Sequence, residues 1–445
     1  MPKPYEIIVV PNRNLKEVAQ PVTSFNDVLD KKIEKIIEVL RSDENGVGLS
    51  ANQLGINDRI CVTEFIDKEN KEDSIPLQVF INPLIAEVKP EYETLDEGCL
   101  SVPKIELPVE RSTKIKIKAR NQQGRKIRLT AKGLLARVLQ HEIDHLNGIL
   151  FTDRVKKELS QKYPQYKNLK IIFIGTGGNL VELILEGLIL LDFKIAAVIT
   201  THQSPVGEIA RKFEKNPIET NDINQEASTI KKIDPDLIIT ADFGQIIPKK
   251  ILGIPHLGAI NIHYSLLPKF RGPTPVQTAI LSGGKETGVS IFKMSPKIDE
   301  GPILAQEKVE ISDYENAAVL RTRLSSLTLK MLTELLPKMQ QGEVQAIPQD
   351  NSKATLTRKF SKSDGEINWQ KDIQSIERRI RAYCPWPGSY TFIDGKRLLI
   401  HLAHLDDKKL VLDIVQGEGK KPMKFSDFIR GFHGKKPGWF KKIKI

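Results

Sequence analysis

The chain has 445 residues, which is too many for one ordinary hydrophobic core and predicts two to four domains. Its three cysteines, odd and sparse, support no disulfide framework and favour a reducing cytosol. The first residues lack an apolar signal core, and no stretch approaches the ~20 consecutive apolar residues of a membrane span. We therefore expect a cytoplasmic protein that has no membrane partner.

The formal net charge of +11 is concentrated at one end of the chain. Residues 351–445 contain 21 lysines and arginines against 10 aspartates and glutamates, so this last fifth carries the whole excess. A basic surface of this kind either keeps a protein soluble or contacts the phosphate backbone of a nucleic acid. Composition alone leaves both interpretations open.

The N-terminal part combines helical and strand-like patterns. One helix is predicted from Phe25 to Ser42, and a second from Leu129 to Asn147, where apolar residues recur at helical spacing until Gly148. Four strand-like runs lie between them: Arg59–Phe65, Leu77–Ile81, Ile85–Lys89 and Ile115–Ala119. This order predicts an α+β fold for residues 1–160.

The second of these helices carries a pattern typical of a metal hydrolase. His141 and His145 are four residues apart, so both imidazoles project from one face and can bind one ion, with Glu142 beside it. A catalytic metal usually takes three protein ligands and a water, and Cys99 is the best third ligand because the neighbouring Gly98 permits a close backbone approach. Taken alone, the two histidines also fit an amphipathic helix with surface histidines.

Three motifs occur together in this part of the chain. They are Gly-Val-Gly-Leu-Ser-Ala-Asn-Gln at 46–53, Glu-Gly-Cys-Leu-Ser at 97–101 and His-Glu-Ile-Asp-His at 141–145. In these motifs residues 1–160 resemble the peptide deformylases, which remove the formyl group from the N-terminal methionine of new bacterial proteins. The resemblance implies that Cys99, His141 and His145 bind a metal, typically Fe²⁺, although Zn²⁺, Ni²⁺ or Co²⁺ can take its place.

The same resemblance implies a role for each residue around the metal. Glu142 is the general base and acid, which takes a proton from the metal-activated water and passes it to the leaving amine. The Gln53 side-chain amide and the backbone N–H of Leu100 stabilise the oxyanion that forms on the formyl oxygen. Gly46 and Gly48 let the backbone run close to the substrate, or form a tight turn, and the two roles are compatible.

Residues 161–169, which include Pro164, are predicted to be a linker. After them an apolar run enters a glycine turn at Gly175–Gly178, and strand-like and helical stretches alternate as far as Thr240. Such alternation predicts a parallel sheet with crossover helices, an α/β Rossmann-like fold over residues 170–350. The glycine turn can cradle a phosphate at a helix N-terminus, but Gly-x-Gly-Gly is a weak signal for a nucleotide.

Polar residues near one predicted strand end carry the chemistry of this second part. Asn261 and His263 are two residues apart, so they face the same side, as is needed to hold a carbonyl beside an acid–base imidazole. Together with Ser-Leu-Leu-Pro at 265–268, Arg271-Gly272 and the later Asp299, this segment resembles the folate-dependent formyltransferases. Those enzymes move a formyl group from 10-formyltetrahydrofolate onto an amine.

That resemblance implies that Asn261 donates to the formyl oxygen and that His263 assists proton transfer. Asp299 orients His263 and helps to remove the proton from the attacking amine. The folate-binding positions that it implies are Ser265, Leu266, Leu267, Pro268 and Arg271. Simpler roles exist for several of them, because Pro268 can shape a loop, Arg271 can pair with a local carboxylate and Asp299 can cap a turn.

The last section, residues 351–445, includes a basic helix from Ile373 to Tyr383, a Cys-Pro-Trp-Pro-Gly turn at 384–388 and three strand-like runs. This order resembles the C-terminal region of the methionyl-tRNA formyltransferases and implies a small β domain, OB-like, that binds nucleic acid through its backbone. The implied partner is initiator methionyl-tRNA. Two departures stand out: no proline follows Thr176, and Thr200–Gln203 leads directly into the next helix where the family carries a basic insertion.

Together these features predict a multi-domain, bifunctional translation enzyme. One half would formylate methionyl-tRNA, and the other would deformylate nascent peptides, near the ribosome. Two alternatives stay open: the second half formylates a nucleotide or sugar amine, or one half has lost its activity and serves as an RNA-binding module. The basic tail argues against the first alternative, and the complete sets of catalytic residues argue against the second.

Overall fold

A computed structural model describes residues 6–43, 46–66, 74–178, 181–407, 409–434 and 437–444. The chain is multi-domain, and it divides into two compact units, Met1–Pro164 with Leu190–Asp192, and Gln165–Ile189 with Phe193–Ile445. Both units combine helices and sheets. Among the described residues, no helix has the length and the hydropathy needed to cross a membrane. The predicted domain bounds at 160, 169 and 350 stay predictions.

The first unit is built on an antiparallel sheet in the order β1-β2-β3-β6-β7, with β4 and β5 paired as a separate hairpin. Its strands are β1 (Gly48–Ser50), β2 (Ile60–Phe65), β3 (Ile75–Val88), β4 (Tyr92–Cys99), β5 (Val102–Ser112), β6 (Lys114–Arg120) and β7 (Lys126–Lys132). Its helices are α1 (Asp27–Ser42), α2 (Gly133–Leu146) and α3 (Phe151–Lys162).

Two expectations for this unit were wrong in their bounds. Leu129–Lys132 lie in β7, and α2 begins only at Gly133, whose φ of 53° breaks the extended backbone. Ile75–Val88 form one strand where two were expected, because the backbone passes through Asn82 and Pro83 with a shift of register against β6. An Asn-Pro pair is typical of a turn, so the pattern indicated a break that tertiary pairing overrides.

Helix α2 is the central element of the first unit. Leu139, Ile143 and Leu146 pack with Phe80 and Ile115 of the sheet in one cluster of buried residues. Burial of such side chains contributes about 1.5–3 kcal/mol each relative to exposure. The polar residues of α2 are therefore held on a helix whose position is fixed by its apolar face.

The second unit contains a seven-stranded sheet in the order β10-β9-β8-β11-β12-β13-β14. Its strands are β8 (Lys170–Gly175), β9 (Lys194–Thr200), β10 (Ile218–Glu219), β11 (Leu237–Ala241), β12 (Ala259–His263), β13 (Glu286–Lys293) and β14 (Ile303–Glu310). Its helices up to residue 341 are α4 (Val181–Leu190), α5 (Pro205–Lys212), α6 (Ala227–Ile233), α7 (Lys249–Leu252), α8 (Pro275–Leu281) and α9 (Ala317–Gln341).

Five neighbouring strands of this sheet, from β10 to β12, are parallel, and β13 and β14 add antiparallel partners. Gly175 pairs with Ala241, and Thr240 pairs with Asn261, so the carboxyl ends of β8, β11 and β12 lie side by side. In parallel sheets, ligands bind in the crevice beyond these ends. The fold therefore gathers the loops that follow Gly175, Ala241 and His263.

The end of the chain forms a smaller sheet around its own core. Its elements are α10 (Ile373–Ala382), β15 (Ser389–Ile393), β16 (Lys396–Asp406), β17 (Lys409–Gly417), β18 (Met423–Lys424), α11 (Phe425–Arg430) and β19 (Ile443–Lys444). The sheet order is β15-β16-β17-β18, and β19 pairs with β17 in parallel. Trp369 and Trp439 stack with ring centroids 4.7 Å apart, which ties both ends of this segment to one core.

Candidate active sites

The first unit brings the three predicted metal ligands together. Cys99 at the end of β4 and His141 and His145 on α2 have donor atoms that all lie within 4.8 Å of one another. The His145 Nε2 atom lies 3.1 Å from Cys99 Sγ and 3.2 Å from His141 Nε2. Ligand nitrogens of a tetrahedral ion with bonds of about 2.0–2.1 Å are separated by about 3.3 Å, so this spacing fits a metal ion.

Glu142 lies beside this cluster in a closely fitted position. Its Oε2 atom accepts a hydrogen bond of 2.7 Å from Ser50 Oγ on β1. Burial raises the pKa of the Glu142 carboxyl, against opposing contributions from His141 and from the Ser50 hydrogen bond. A side chain on Gly48 would place its Cβ atom only 2.6 Å from Glu142 Oε1. The glycine at 48 therefore leaves the space that the carboxylate occupies.

A buried ionic network orients His141, one of the predicted metal ligands. Glu97 Oε2 lies 3.2 Å from His141 Nδ1, and the guanidinium of Arg111 binds both Glu97 oxygens at 2.9 Å. Burial raises the pKa of Glu97, but the hydrogen bonds from His141 and Arg111 outweigh it and lower the pKa to about 2. Arg111 also binds Asp144 on α2 at 2.5 Å. A carboxylate that holds the second nitrogen of a ligating histidine fixes its tautomer and ring orientation.

The Gln53 side chain, one of the two predicted oxyanion donors, also lies beside the cluster. The Gln53 Oε1 atom accepts a hydrogen bond of 2.9 Å from the Ser50 backbone N–H. This contact turns Nε2 toward Cys99 Sγ, 3.7 Å away, and toward Ser101 Oγ, 3.1 Å away. Leu100 follows Cys99 directly in the turn between β4 and β5. Gly46 instead faces α1, where an added Cβ would meet Leu40 Cδ1 at 2.9 Å.

The second unit has a cavity of about 580 Å³ that the predicted catalytic residues share. Asn261, His263 and Asp299 all line it. Thr240 Oγ1 donates a hydrogen bond of 2.8 Å to Asn261 Oδ1. The Asn261 Nδ2 group has no partner among the described residues, so it can donate to a substrate carbonyl. The strand pairing of Thr240 with Asn261 explains this contact.

His263 and Asp299, the predicted acid–base pair, lie close together in the cavity. His263 Nδ1 lies 3.6 Å from Asp299 Oδ2, and the Phe270 carbonyl accepts a hydrogen bond of 2.9 Å from His263 Nε2. Burial lowers the pKa of His263, although the charge of Asp299 acts in the opposite direction. Asp299 Oδ2 also accepts a hydrogen bond of 2.7 Å from the Gly272 backbone N–H. The carboxylate is therefore fixed against the loop that follows His263.

Gln349, which the sequence patterns did not single out, connects the Asp299 segment to Arg271. Its Nε2 group donates to the backbone carbonyls of Asp299 and Gly301 at 2.8 and 2.7 Å. Its Oε1 atom accepts a hydrogen bond of 2.7 Å from Arg271. Arg271 also lines the cavity, but its guanidinium is largely engaged by Gln349 and Asn351. No local motif marks Gln349, because its partners lie 48 to 78 residues earlier in the chain.

The four residues of the Ser-Leu-Leu-Pro motif at 265–268 are not among the described residues that line the cavity. They form part of the loop after β12, and Ser290 of β13 holds their backbone in place. Ser290 Oγ donates to the Ser265 carbonyl at 2.6 Å and accepts from the Leu267 N–H at 3.1 Å. A direct contact of this motif with folate stays a prediction.

Three family models match the chain in succession. They are polypeptide deformylase over residues 4–161, formyl transferase over residues 169–336 and the formyl transferase C-terminal domain over residues 359–409. Together they span both sites: Cys99 and α2 lie in the first match, and Asn261 to Asp299 lie in the second.

Curated relatives match the second half of the chain. Methionyl-tRNA formyltransferase of Staphylococcus aureus (strain MW2) is 36% identical over 249 residues, which is 53% of this chain and 79% of the relative. The same enzyme of Halalkalibacterium halodurans is 35% identical over 301 residues, which is 59% of this chain and 95% of the relative.

Solved structures match the first half. A peptide deformylase from Thermotoga maritima is 43% identical, with 34% of this chain and 96% of that chain covered, and a TM-score of 0.31. A peptide deformylase from Synechococcus elongatus in complex with actinonin is 36% identical, with 36% and 90% covered and a TM-score of 0.32. The chain belongs to the methionyl-tRNA formyltransferase family in its second half, and its first half belongs to the polypeptide deformylase family.

Proposed function

We propose that this chain catalyses two reactions of opposite direction in bacterial-type translation. The first unit hydrolyses the N-terminal formyl group of nascent peptides to formate and a methionyl peptide. The second transfers formyl from 10-formyltetrahydrofolate to the amino group of methionyl-tRNA. The observation that supports this function best is that each half keeps a complete reactive centre: a Cys-His-His cluster with Glu142, and a cavity with Asn261, His263 and Asp299.

In the deformylase half, Cys99, His141 and His145 would hold the metal, for which we propose Fe²⁺ with Zn²⁺, Ni²⁺ or Co²⁺ as substitutes. A thiolate with two imidazoles is a donor set that suits these ions. When bound, the metal supplies Lewis acidity and a water of lowered pKa. Glu142, held by Ser50, accepts the proton of the attacking water and delivers it to the departing amine nitrogen.

Two donors in the same half stabilise the charge that develops on the formyl oxygen. The Gln53 Nε2 group already faces the metal ligands, because its carbonyl oxygen is tied to the Ser50 backbone. The backbone N–H of Leu100 is the second donor that we propose. Donors fixed in advance lower the barrier because they need no reorganisation as the charge forms. Gly48 contributes the space for Glu142, and Gly46 lets the chain pass close to Leu40 of α1 just before β1.

In the formyltransferase half, the amine of the acceptor attacks the formyl carbon, and nitrogen 10 of the folate leaves. Asn261 donates through Nδ2 to the formyl oxygen, with its orientation fixed by Thr240. His263 and Asp299 take the proton that the amine loses and pass it on to nitrogen 10 of the folate as the bond to the formyl carbon breaks. Arg271 and the loop at 265–268 shape the folate side. No covalent enzyme intermediate is needed, because a direct displacement balances atoms and charge.

The finer features of fold and partnership follow from the same proposal. The parallel strands β8 to β12 support a Rossmann-like domain over residues 170–350, and the sheet of β15 to β19 supports an OB-like, basic module over residues 351–445. We propose that this module contacts the phosphates of the initiator tRNA. Residues 1–160 form the deformylase domain and 161–169 the linker, and the enzyme works in the cytoplasm close to the ribosome.

A pair of assays on the intact chain tests the function. Formate release is followed with a formylated methionyl tripeptide, and formyl transfer is followed with charged initiator tRNA and, for comparison, charged elongator methionine tRNA. We expect Glu142→Gln to abolish only the first activity and His263→Ala only the second, so that each variant controls for the folding of the other. Wild-type protein that fails to transfer formyl to either tRNA would contradict the proposal for the second half.

A further inference from the structure

A group of polar side chains in the transferase cavity takes no part in the chemistry described above. Asp242, Tyr264 and Arg321 line the cavity beside Gly178, each from a different element of the fold. Asp242 follows β11 and Tyr264 follows β12, directly after the catalytic His263, while Arg321 lies on α9. We name these three residues the polar subsite.

The polar subsite contains buried groups without partners. The Tyr264 hydroxyl and the Arg321 Nε group are buried and have no hydrogen-bond partner among the described residues. Leaving a buried donor unpaired is unfavourable, and more so when the group is charged. Burial also lowers the pKa of Arg321 and raises the pKa of Asp242, and the charges of the two residues act on each other. Unpaired donors of this kind indicate a place where a ligand completes the hydrogen bonds.

The backbone around the polar subsite is adapted to it. An added Cβ atom on Gly177 would lie 1.8 Å from Asp242 Oδ2, so only glycine at 177 leaves room for this carboxylate. Asp242 itself has a φ of 46°, in the left-handed region, and its carbonyl accepts a hydrogen bond of 2.8 Å from Thr176 Oγ1. The turn after β8 and the loop after β11 thus position the carboxylate together.

The chemistry of the polar subsite selects among the groups that must enter the cavity. Arg321 and Tyr264 offer donors, Asp242 offers an acceptor, and the formal charges of Arg321 and Asp242 cancel. A phosphate would face Asp242 unfavourably, and the thioether side chain of methionine has little to offer these groups. A neutral group with hydroxyls and ether or ester oxygens satisfies both donors and the acceptor. The ribose that carries the aminoacyl ester at the end of a charged tRNA has this composition.

We propose that Asp242, Tyr264 and Arg321 bind the terminal ribose of the aminoacyl-tRNA and thereby present its amine to the formyl donor. This proposal rests on the proposed transferase function. Asp242 accepts from a ribose hydroxyl, and Arg321 and Tyr264 donate to ribose or ester oxygens. Tyr264 follows His263 directly in the chain. A ribose bound to Tyr264 would therefore lie at a fixed distance from the His263–Asp299 pair.

Steady-state kinetics of three variants test this assignment. We expect Arg321→Met to raise the KM for methionyl-tRNA by about tenfold to a hundredfold, and Tyr264→Phe by about threefold to tenfold. Both should leave the KM for 10-formyltetrahydrofolate within twofold of the wild type. Arg323→Met is the matched control, because Arg323 lies on the same helix, pairs with Glu315 and is absent from the described cavity lining. An unchanged KM for tRNA, or a raised KM for folate, would overturn the proposal.

A binding measurement separates this subsite from the proposed activity. Titration calorimetry uses 3′-deoxy-3′-(methionylamino)adenosine, a stable amide analogue of the charged tRNA end, in the presence of tetrahydrofolate. We expect the affinity to fall at least tenfold in Arg321→Met and to stay unchanged in Arg323→Met. Equal binding by wild type and Arg321→Met would refute the subsite. If the wild type binds the analogue through Arg321 yet transfers no formyl group, the proposed function fails and the subsite stands.

Discussion

Gly48→Ala should inactivate the deformylase half by displacing one carboxylate. The added Cβ atom would lie 2.6 Å from Glu142 Oε1 and 2.8 Å from Val138 Cγ1. The backbone has little room to retreat, because Gly48 pairs with Thr63 of β2 and Val138 lies on the buried face of α2. The part that can move is the Glu142 carboxylate, and its movement breaks the hydrogen bond from Ser50.

The expected magnitude follows from the loss of an aligned general base. Such a base contributes about a hundredfold to ten-thousandfold to a rate, so we expect kcat for formate release to fall at least about a hundredfold. Overpacking costs about 1–3 kcal/mol of stability, which a melting measurement would detect as a lower transition temperature of the first unit. The bound metal should stay at wild-type stoichiometry, because none of its three ligands is displaced.

The assay has an internal control in the same molecule. Formyl transfer to methionyl-tRNA reports the concentration of active second unit, and the metal stoichiometry reports whether the first unit is folded. Ser50→Ala removes the hydrogen bond to Glu142 without steric pressure and should lower kcat less than Gly48→Ala does. If Gly48→Ala keeps more than half of the wild-type kcat with a full complement of metal, the assigned role of Glu142 and of the space at Gly48 is wrong.

Three further outcomes are expected. Removal of the metal with a strong chelator should abolish formate release and leave the rate of formyl transfer within twofold of the untreated protein. The reason is that the Cys99, His141 and His145 group is the one candidate metal cluster among the described residues. A chelator that also abolishes formyl transfer would contradict this prediction. Glu97→Gln should weaken metal binding by about tenfold to a hundredfold, as measured by chelator competition, because His141 loses its orienting carboxylate. Gln349→Leu should lower kcat for formyl transfer by about tenfold, since Asp299 loses its support, whereas Gln345→Leu at an exposed position should not.

The metal site was predictable because its signals are local. Two ligands lie on one helix at a spacing of four, and the third lies in a short motif at a strand end, so the sequence limits the distances between them. Asn261 and His263 were predictable for the same reason, as neighbours on one face of β12. Residues of this kind can be recognised before the tertiary structure is known.

Other contributors lie far apart in the sequence, and no pattern marks them. Gln349 reaches Asp299, and Arg111 reaches Glu97 and Asp144, through contacts that only the packed chain creates. The hairpin of β4 and β5 was also missed, because its mostly exposed β4 strand lacks a clear apolar alternation. Tertiary pairing rather than local propensity decides such segments.

In the proposed function, the two sites act on the same formyl group but activate the attacking nucleophile in different ways. Both must stabilise negative charge on the formyl oxygen, and we propose that a side-chain amide serves this purpose in each, Gln53 in one unit and Asn261 in the other. The carbonyl oxygen of each amide is bound to a neighbouring donor. Neutral water is a weak nucleophile toward an amide, and a bound metal would activate it by lowering its pKa. Transfer between nitrogens starts from an amine that is already nucleophilic, so a buried histidine and a carboxylate suffice. The acceptor alone then decides which reaction a formyl group meets, and a subsite that recognises the ribose of an aminoacyl ester would keep the peptide product of the first unit out of the second.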